Sequence, residues 1–367
     1  MNILLLGPSD MSHLRRLAPA LAARGHKIHL VSKRSTGVPG ATFERFEVPR
    51  AGPRYPYRWH RRAEVYMRRL IARFDVTTVH FVSEWPITQD AADGGCLTVR
   101  PYGSDIDPPP QAQTMAASVV EARRTLLRLA RGIVAPSRWF ADKVVEFAGI
   151  DRANITTMSM GIDLDRFSPV RPNRRSPRTV GYFKGFEPVY GPMTMINAIP
   201  LVHARLPNVR FDLVGKGRLR DDCRRRAEQL GIGAAIRWFD LVPHEDIPNL
   251  LSQWDVAAVT SWKESLCVAA LEASAMQIPV VASNVGGLRE SGLDGITGVL
   301  FPPGDHVALA NELVTLLEDP ERRREMGLRG RAHVAEHYEW NNYIDRWVEF
   351  YGSIMHEARG TRLPLVV

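Results

Sequence analysis

The sequence predicts an α/β protein made of two open parallel-sheet domains. Short apolar runs alternate with amphipathic segments of helix length through most of the chain, which is typical of strands joined by crossover helices. A segment rich in proline and arginine, 166–178, interrupts this alternation once. We therefore place the first domain at 1–165, a linker at 166–178 and the second domain at 179–344.

The first domain opens with a strand, a helix and a second strand. The apolar run 3–6 predicts the strand, the leucines of 14–21 recur at helical spacing, and Gly25 ends the helix. Residues 28–30 then alternate as the second strand. Further strands are predicted at 76–80, 97–99, 133–135 and 155–158, with helices before Gly132 and after Ser137.

The second domain repeats this pattern. Six apolar segments separated by helical patterns are predicted as its strands, at 180–183, 209–214, 236–239, 256–259, 280–282 and 299–301. An amphipathic stretch at 340–358 follows a helix that starts beyond Pro320. We expect the end of this stretch, about 345–367, to pack back on the first domain.

Composition narrows the class of protein. Of 367 residues, 45% are hydrophobic and 24% charged, as in soluble globular proteins. The three cysteines lie far apart, without the close spacing of a zinc site or a redox pair, which favours a reducing compartment. No basic leader precedes the first strand, and no apolar run reaches the roughly 18 residues of a membrane span. We expect a cytoplasmic protein, with peripheral contact at the inner membrane face as an option.

A basic segment, 50–73, accounts for much of the formal net charge of +8. Its eight arginines accompany one acidic residue, Glu64, and are interleaved with Met67 and with aromatic residues, among them Tyr66. Such a segment suits acidic lipid headgroups or a phosphorylated acceptor, although a solvated arginine-rich helix fits equally. Nucleic acid is not expected as a partner, because no recognised binding module accompanies the charge.

Dinucleotide-dependent dehydrogenases share this type of sheet, but their glycine fingerprint is missing. The turn after the first strand has one glycine, Gly7, where the G-x-G-x-x-G pattern needs three. The later segment 215–220 has two glycines and lacks the third, and no phosphate-binding P-loop occurs.

Two glutamates carry the clearest chemical signal. Glu272 is the one charged residue between 266 and 276, so we expect it to be partly buried and to need a hydrogen-bond donor: ribose hydroxyls, a lysine or an arginine. Glu264 is expected to be exposed in the loop at a strand's carboxyl end, where it could accept hydrogen bonds from sugar hydroxyls. Backbone N–H groups from Ser265 to Val268, at the helix start, would favour phosphate.

The pair reproduces the E-x7-E motif and resembles that of retaining glycosyltransferases of family 4. Further blocks in register support the resemblance, namely 273–290, 294–298, 302–305, the Arg-Gly-His turn at 24–26, Gly-Ser-Asp at 103–105, Ala-Pro-Ser at 135–137 and 160–163. The resemblance covers nearly the whole chain. It implies the GT-B fold, two Rossmann-like domains facing each other across a cleft.

The resemblance also implies roles for individual residues. It assigns transfer to Glu264, Lys184 and His13, with Glu264 on donor-sugar hydroxyls and Lys184 on the diphosphate. Donor binding falls to Glu272 on the ribose and to Ser265, Leu266, Cys267, Val268, Lys216 and Gly185. We place the acceptor side at Gly7, Ser9, Arg100, Tyr102 and Asp105, because strand ends of the first domain would face the cleft; a salt bridge within the loop is the alternative for the last three. For His13 the alternative is a histidine that caps or packs on its own helix. Neither a metal nor a cofactor is implied, because the nucleotide-sugar is a substrate.

The sequence departs from the family pattern at several of these positions. Lys184 stands where an arginine is usual, and Tyr190 stands in place of a second basic residue, for which Lys216 is our substitute. Leu266-Cys267 replaces Phe-Gly, which can reshape the sugar pocket. The histidine that often precedes Gly103 is absent.

The implied reaction is transfer with retention of anomeric configuration, through an oxocarbenium-like transition state and without an enzyme nucleophile. A UDP-sugar is favoured as donor on frequency alone, and the acceptor, a small molecule, glycan or lipid-linked group, is not identified. Two alternatives stay open: another GT-B enzyme such as a nucleotide-sugar epimerase, or a non-catalytic sugar-nucleotide binding protein.

Overall fold

The computed structural model describes residues 1–34, 36–47, 61–82, 85–106, 116–169, 178–292 and 294–360. These residues form two compact units. The first contains the described parts of 1–108, 112–159 and 342–367, and the second contains those of 160–341. Much of the predicted linker, 170–177, and most of the basic segment, 48–60, lie outside the described residues.

Each unit is an alternation of strands and helices. The strands are β1 (Asn2–Leu6), β2 (Lys27–Ser32), β3 (Ala41–Arg45), β4 (Val76–His80), β5 (Leu97–Arg100), β6 (Gly132–Ala135), β7 (Ile155–Thr157), β8 (Thr179–Phe183), β9 (Arg210–Val214), β10 (Ile236–Phe239), β11 (Val256–Val259), β12 (Val280–Ser283) and β13 (Gly298–Phe301). The helices are α1 (Ser12–Ala23), α2 (Arg61–Ile71), α3 (Gln89–Asp93), α4 (Gly103–Ile106), α5 (Ala117–Leu129), α6 (Arg138–Ala148), α7 (Pro192–Arg205), α8 (Arg220–Gln229), α9 (Ile247–Leu251), α10 (Val268–Ala275), α11 (Leu288–Ser291), α12 (His306–Glu318), α13 (Pro320–His337) and α14 (Trp340–Gly360).

Both sheets are parallel, and they share one strand order except that the first has an additional strand, β7, at its edge. The first has the order β3-β2-β1-β4-β5-β6-β7 and the second β10-β9-β8-β11-β12-β13, and the strand pairs described in both are parallel. The order reverses between β1 and β4 in the first sheet and between β8 and β11 in the second. Ligands of open α/β sheets bind at such reversals, at the carboxyl ends of the strands.

One strand, β3, is missing from the prediction. It lies at the edge of the first sheet, and its residues are exposed or half-buried rather than apolar and buried. Because an edge strand needs no continuous apolar run, Ala41–Arg45 gives no strand signal in the sequence. The other predicted strands are confirmed to within two residues.

Alternating side chains fill the core on both faces of each sheet. In β11, Val256 and Ala258 join the cluster beneath α7 and α12, whereas Ala257 and Val259 join the cluster beneath α10. Successive strand residues point to opposite faces, so helices cover both sides. This explains why the strands appear in the sequence as unbroken apolar runs.

The C-terminal helix α14 packs on the first unit from Asn342 onward. Trp347 and Tyr351 are fully buried, and the Tyr351 hydroxyl lies 2.9 Å from Oγ1 of Thr78 in β4. Arg24 at the end of α1 donates to Asp345 at 2.6 Å. Among the described helices, none is both long and apolar enough to cross a bilayer.

Candidate functional site

An ion pair occupies the strand-order reversal of the second sheet. Lys184 follows β8 directly, and Glu264 lies in the loop that leaves β11. The Nζ atom of Lys184 is 2.6 Å from Oε1 of Glu264, and the hydroxyl of Ser261 donates to the same oxygen at 2.8 Å. The two residues assigned to donor sugar and diphosphate are therefore in direct contact.

The structure corrects the expectation that Glu264 is exposed. Only 8% of its side chain and 14% of the Lys184 side chain are accessible. The backbone explains this burial, because the Gly287 N–H donates to the Glu264 carbonyl at 2.9 Å and holds the loop against the turn after β12. A Cβ atom on Gly287 would come within 2.2 Å of the Ser265 carbonyl oxygen, so only glycine permits this approach.

Two further side chains surround the Lys184 ammonium group. The Tyr190 ring centroid lies 4.5 Å from Nζ, a cation–π distance, and the Cys267 sulfur lies at 3.9 Å. Burial on its own lowers the pKa of a lysine, but the Glu264 carboxylate at 2.6 Å raises the pKa of Lys184 overall. For an acid the effect of burial is the opposite: it raises the pKa of the Cys267 thiol to about 12, so this group is neutral. Lys184 is therefore a permanent cation.

Tyr190 occupies the position where a second cation was expected. Its carbonyl and that of Gly191 accept hydrogen bonds from Oγ1 of Thr260, at 2.9 and 2.8 Å. Gly191 has φ of 58°, and a Cβ atom there would lie 2.2 Å from the Thr260 carbonyl oxygen. The turn thus fixes the ring beside Lys184, where it supplies π-electron density rather than positive charge.

Lys216, our substitute for that cation, is paired elsewhere. Its Nζ atom lies 3.6 Å from Asp240, and more than half of its side chain is exposed. No described contact joins its ammonium group to Lys184 or Glu264. The backbone does reach the site, because the Phe186 N–H donates to the Lys216 carbonyl at 2.8 Å and Gly185 lies against that same carbonyl.

Glu272 lies in α10 and is buried, as predicted, with 5% of the residue exposed. Its hydrogen-bond donor is a histidine, which the sequence analysis missed. Nε2 of His244 lies 3.0 Å from Oε1 of Glu272. His244 follows β10, whose carboxyl end lies at the same sheet edge as that of β11. Its place after a predicted strand was the one feature of the sequence that could have suggested His244 as a site residue, because it belongs to no motif.

One of the backbone N–H groups expected to bind phosphate at the start of α10 forms a hydrogen bond within the protein instead. The Cys267 N–H donates to Oγ of Ser291 at 3.3 Å, so this amide already has a hydrogen-bond partner within the protein. Leu266 and Cys267 are buried, while Ser265 and Val268 are half-buried.

In the first unit, the predicted acceptor-side residues come together at the carboxyl ends of β1, β4 and β5. The ring centroids of His13 and His80 are 5.5 Å apart, and Nδ1 of His80 lies 3.2 Å from the Tyr102 hydroxyl. Nε2 of His13 lies 3.3 Å from the hydroxyl of Tyr343 in α14. Burial and the Arg100 charge lower the pKa of both histidines well below the usual value, so both rings are neutral.

Most of these residues support the loops and are not open to a ligand. Arg100 is 1% exposed, donates to the Met158 carbonyl at 3.3 Å and lies over the rings of Tyr102 and Trp347. Ser9 is fully buried, and Gly7 is in close contact with His80 and Leu14. Within this group, Tyr102 retains partial exposure.

Asp105 fastens two loops with one oxygen. Its Oδ2 accepts from the N–H groups of Val82 at 3.2 Å and Tyr102 at 3.1 Å. Burial raises the pKa of the carboxyl to about 6, against the opposing effect of these two hydrogen bonds. The side chain therefore holds the ends of β4 and β5 together.

A residue with an unusual backbone, Phe81, follows β4 at the reversal of the first sheet. Its φ is 71°, which is uncommon for a bulky side chain. Its ring stacks on Tyr102 with centroids 4.8 Å apart and planes 18° from parallel. Strained residues cluster at functional sites, and backbone strain of this kind leaves no signal in a sequence.

Two parallel sheets that each reverse next to their first strand, one of them with a buried lysine–glutamate pair at the reversal and a second buried glutamate in the helix that follows, are the arrangement expected of a GT-B enzyme. Family comparisons agree. The model described as "Glycosyltransferase Family 4" matches 12–166, and that described as "Glycosyl transferases group 1" matches 165–333. The chain belongs to glycosyltransferase family 4 and is a glycosyltransferase. The epimerase and non-catalytic alternatives are not favoured.

Curated relatives have related activities. The chain is 29% identical to a GDP-mannose-dependent alpha-(1-6)-phosphatidylinositol monomannoside mannosyltransferase of Mycolicibacterium smegmatis, over 80% of both chains. It is 30% identical to a D-inositol 3-phosphate glycosyltransferase of Salinispora tropica, over 70% of this chain and 56% of that protein. The chain thus spans little more than half the length of the second relative.

Solved structures share the fold across almost the whole chain. A glycosyltransferase from Rickettsia africae has a TM-score of 0.78 at 17% identity, covering 96% of this chain and 98% of its own. Anabaena Alr3699/HepE in complex with UDP and glucose has a TM-score of 0.75 at 19% identity, covering 96% and 100%. The GT-B fold is therefore confirmed.

Proposed function

We propose that this glycosyltransferase moves a sugar from a nucleoside diphosphate sugar to an anionic acceptor, with retention of anomeric configuration and without a metal ion. The observation that carries the proposal is the buried contact between Lys184 and Glu264 at the strand-order reversal, with Glu272 buried in the following helix α10. It supplies one permanent cation and two carboxylates at the edge where open α/β sheets bind ligands.

The three side chains take separate roles in the donor complex. Lys184 neutralises charge on the diphosphate as it leaves, which is the contribution a divalent metal makes in other transferases. Glu264 accepts hydrogen bonds from hydroxyls of the donor sugar, and Glu272 accepts from the ribose. Donor binding gives Lys184 a second anionic partner beside Glu264, and its raised pKa keeps it charged throughout.

Retention follows if the acceptor oxygen attacks from the face that the diphosphate leaves. The bond from the anomeric carbon to the diphosphate breaks, the bond to the acceptor oxygen forms, and the acceptor proton passes to a leaving-group oxygen. Positive charge develops on the sugar ring in between. No side chain bonds to the sugar, so the protein contributes positioning and charge stabilisation.

For the donor, we favour a UDP-sugar, with GDP-mannose as the second candidate. The first relative is named for GDP-mannose dependence, whereas the Anabaena structure holds UDP and glucose. Both nucleotides therefore belong in the donor test.

For the acceptor, charge on the first unit supports an anionic group. Arg61, Arg62, Arg68 and Arg69 are exposed on α2. The names of both relatives include a phosphorylated inositol unit. We therefore propose an acceptor that carries phosphate, either free or in a lipid headgroup.

Peripheral membrane contact through α2 would be electrostatic. Met67 is buried in the core, and the Tyr66 hydroxyl donates to Glu44, so neither side chain is available to enter a bilayer. The arginines alone face outward. We therefore propose that α2 binds acidic headgroups at the surface, without insertion of an apolar face.

The donor test incubates the protein with UDP-, GDP- and ADP-sugars and measures slow hydrolysis and nucleotide-induced thermal shifts. We expect turnover of one nucleotide class, and its loss in Glu264→Gln. Absence of both turnover and thermal shift would overturn the proposal. Sedimentation with acidic vesicles, repeated with Arg61 and Arg62 changed to Glu, tests the membrane contact, and equal binding by both forms would contradict it.

A further inference from the structure

The buried carboxylate of Glu272 is held by one imidazole. Only 7% of the Glu272 side chain is accessible, so the carboxylate is largely removed from water. Nε2 of His244 is 3.0 Å from Oε1. A carboxylate removed from water is destabilising unless it is hydrogen-bonded. The hydrogen bond from His244 therefore stabilises the buried Glu272 carboxylate.

The contact also fixes which atoms remain for a ligand. An ionised carboxylate accepts only, so Nε2 must carry the proton of this bond. Within the described ranges, no other hydrogen bond or ion pair involves the Glu272 carboxylate. Oε1 is thus occupied by His244, and Oε2 is the oxygen left for a hydroxyl group.

His244 is itself fixed on one side by packing. Its ring meets the buried ring of Phe167 edge to face, with centroids 5.8 Å apart. The Phe167 backbone is anchored in turn, because Arg331 donates to its carbonyl at 2.7 Å. On the other side, 35% of the imidazole is accessible. The ring is therefore packed against Phe167 on one side and partly open to solvent on another.

We propose that His244 is a positioning residue that aims Oε2 of Glu272 at the donor ribose and thereby lets the enzyme discriminate ribonucleotides from deoxyribonucleotides. This inference rests on the proposed function, in which Glu272 binds the ribose. Without the imidazole, the carboxylate loses the hydrogen bond that fixes its orientation, and its preference for a ribose hydroxyl weakens. The effect acts through Glu272, so it concerns nucleotide binding rather than sugar transfer.

The experiment measures the affinity of the whole chain for UDP and GDP and for their 2′-deoxy and 3′-deoxy counterparts by calorimetry. Hydrogen bonds to charged groups contribute about 1.5–3 kcal/mol, which converts to roughly 10–150-fold in affinity. We expect His244→Ala to lose affinity for the ribonucleotide in this range and to bring the ribo-to-deoxy affinity ratio close to one.

Two variants separate positioning from general damage. His244→Gln keeps an N–H donor and is expected to recover part of the affinity and of the ratio. His356→Ala, at an exposed histidine of α14, is the matched control and is expected to bind as the wild type does. The kcat for transfer at saturating donor should change far less than the donor KM in His244→Ala.

The outcomes distinguish this inference from the proposed function. If the wild type binds a ribonucleotide and His244→Ala keeps the wild-type ribo-to-deoxy ratio, the positioning role is overturned while the donor site stands. If His244→Ala weakens ribo and deoxy forms equally, the role is likewise overturned, because only general structure was lost. If the wild type binds neither UDP nor GDP, the proposed function is overturned, and this inference with it.

Discussion

Replacing Lys184 by methionine tests whether the buried ion pair is a stabilising contact as well as a functional one. The change removes the cation but keeps a side chain of similar length, which leaves the Glu264 carboxylate in place with 8% exposure. Removing one partner of a buried pair costs about 3–5 kcal/mol, because the remaining charge is uncompensated. The Ser261 hydrogen bond remains and compensates only in part.

The expected cost is large enough to measure by calorimetry. For a domain of 150–250 residues, each kcal/mol lowers the unfolding midpoint by about 2–4 °C, so Lys184→Met should lower that of the second unit by roughly 6–20 °C. Adding Glu264→Gln removes the stranded charge and keeps the bond to Ser261. The double variant should regain most of the lost stability but no donor turnover. Lys216→Met, at an exposed pair, is the control and should leave the midpoint unchanged.

Two results would refute this reasoning. Lys184→Met unfolding at the wild-type temperature would show that Glu264 is not a buried charge dependent on Lys184. A double variant that is less stable than Lys184→Met would show that the two side chains stabilise the unit independently rather than as a pair.

The Asp105 carboxyl, a glycine contact and the cysteines give three further tests. The folded-state pKa of Asp105, about 6, lies above the unfolded value, so its contribution to stability is present at low pH and is lost as pH rises from about 4 through 6, a change of roughly 3 kcal/mol. Asp105→Asn should remove this pH dependence from the free energy of unfolding measured in urea. The same pH dependence in the variant and the wild type would contradict the prediction. Gly287→Ala should reduce donor affinity in calorimetry by displacing Ser265, whereas Gly292→Ala, whose Cβ meets nothing closer than 3.6 Å, should bind normally; equal affinities would count against the contact. A thiol reagent should modify no cysteine of the native protein and all three after unfolding, since burial raises each thiol pKa to about 11 or 12, and rapid native labelling would disprove this. These thiols belong to Cys96, Cys223 and Cys267.

The parallel sheets were predictable because strands buried on both faces consist of consecutive apolar residues. Both faces of β11 are covered by helices, so Val256 to Val259 are all apolar, and this run alone identifies the strand. The edge strand β3 carries no such run, and its place follows only from pairing with β2. Edge strands of this kind stay invisible to a reading of hydrophobic pattern.

The site residues that belong to a sequence motif were predictable. Those whose role depends on contacts between distant parts of the chain were not. Glu264 and Glu272 follow from their spacing, but the burial of Glu264 depends on Gly287, more than twenty positions later. His244 reaches Glu272 because β10 and β11 end at one sheet edge, a fact of topology rather than of sequence. The left-handed backbone of Phe81 likewise has no counterpart in composition.

Incubation with nucleotide-sugars is the most direct test of the central claim that Lys184, Glu264 and Glu272 form a donor site for glycosyl transfer. Wild type, Lys184→Met, Glu264→Gln and Glu272→Gln should be compared with UDP- and GDP-sugars by quantifying released nucleoside diphosphate, with His356→Ala as a folded control. The account predicts turnover by wild type and control, its loss in the first two variants and a raised donor KM in Glu272→Gln. Wild-type rates in all three site variants, or no turnover of any nucleotide-sugar by the wild type, would contradict it.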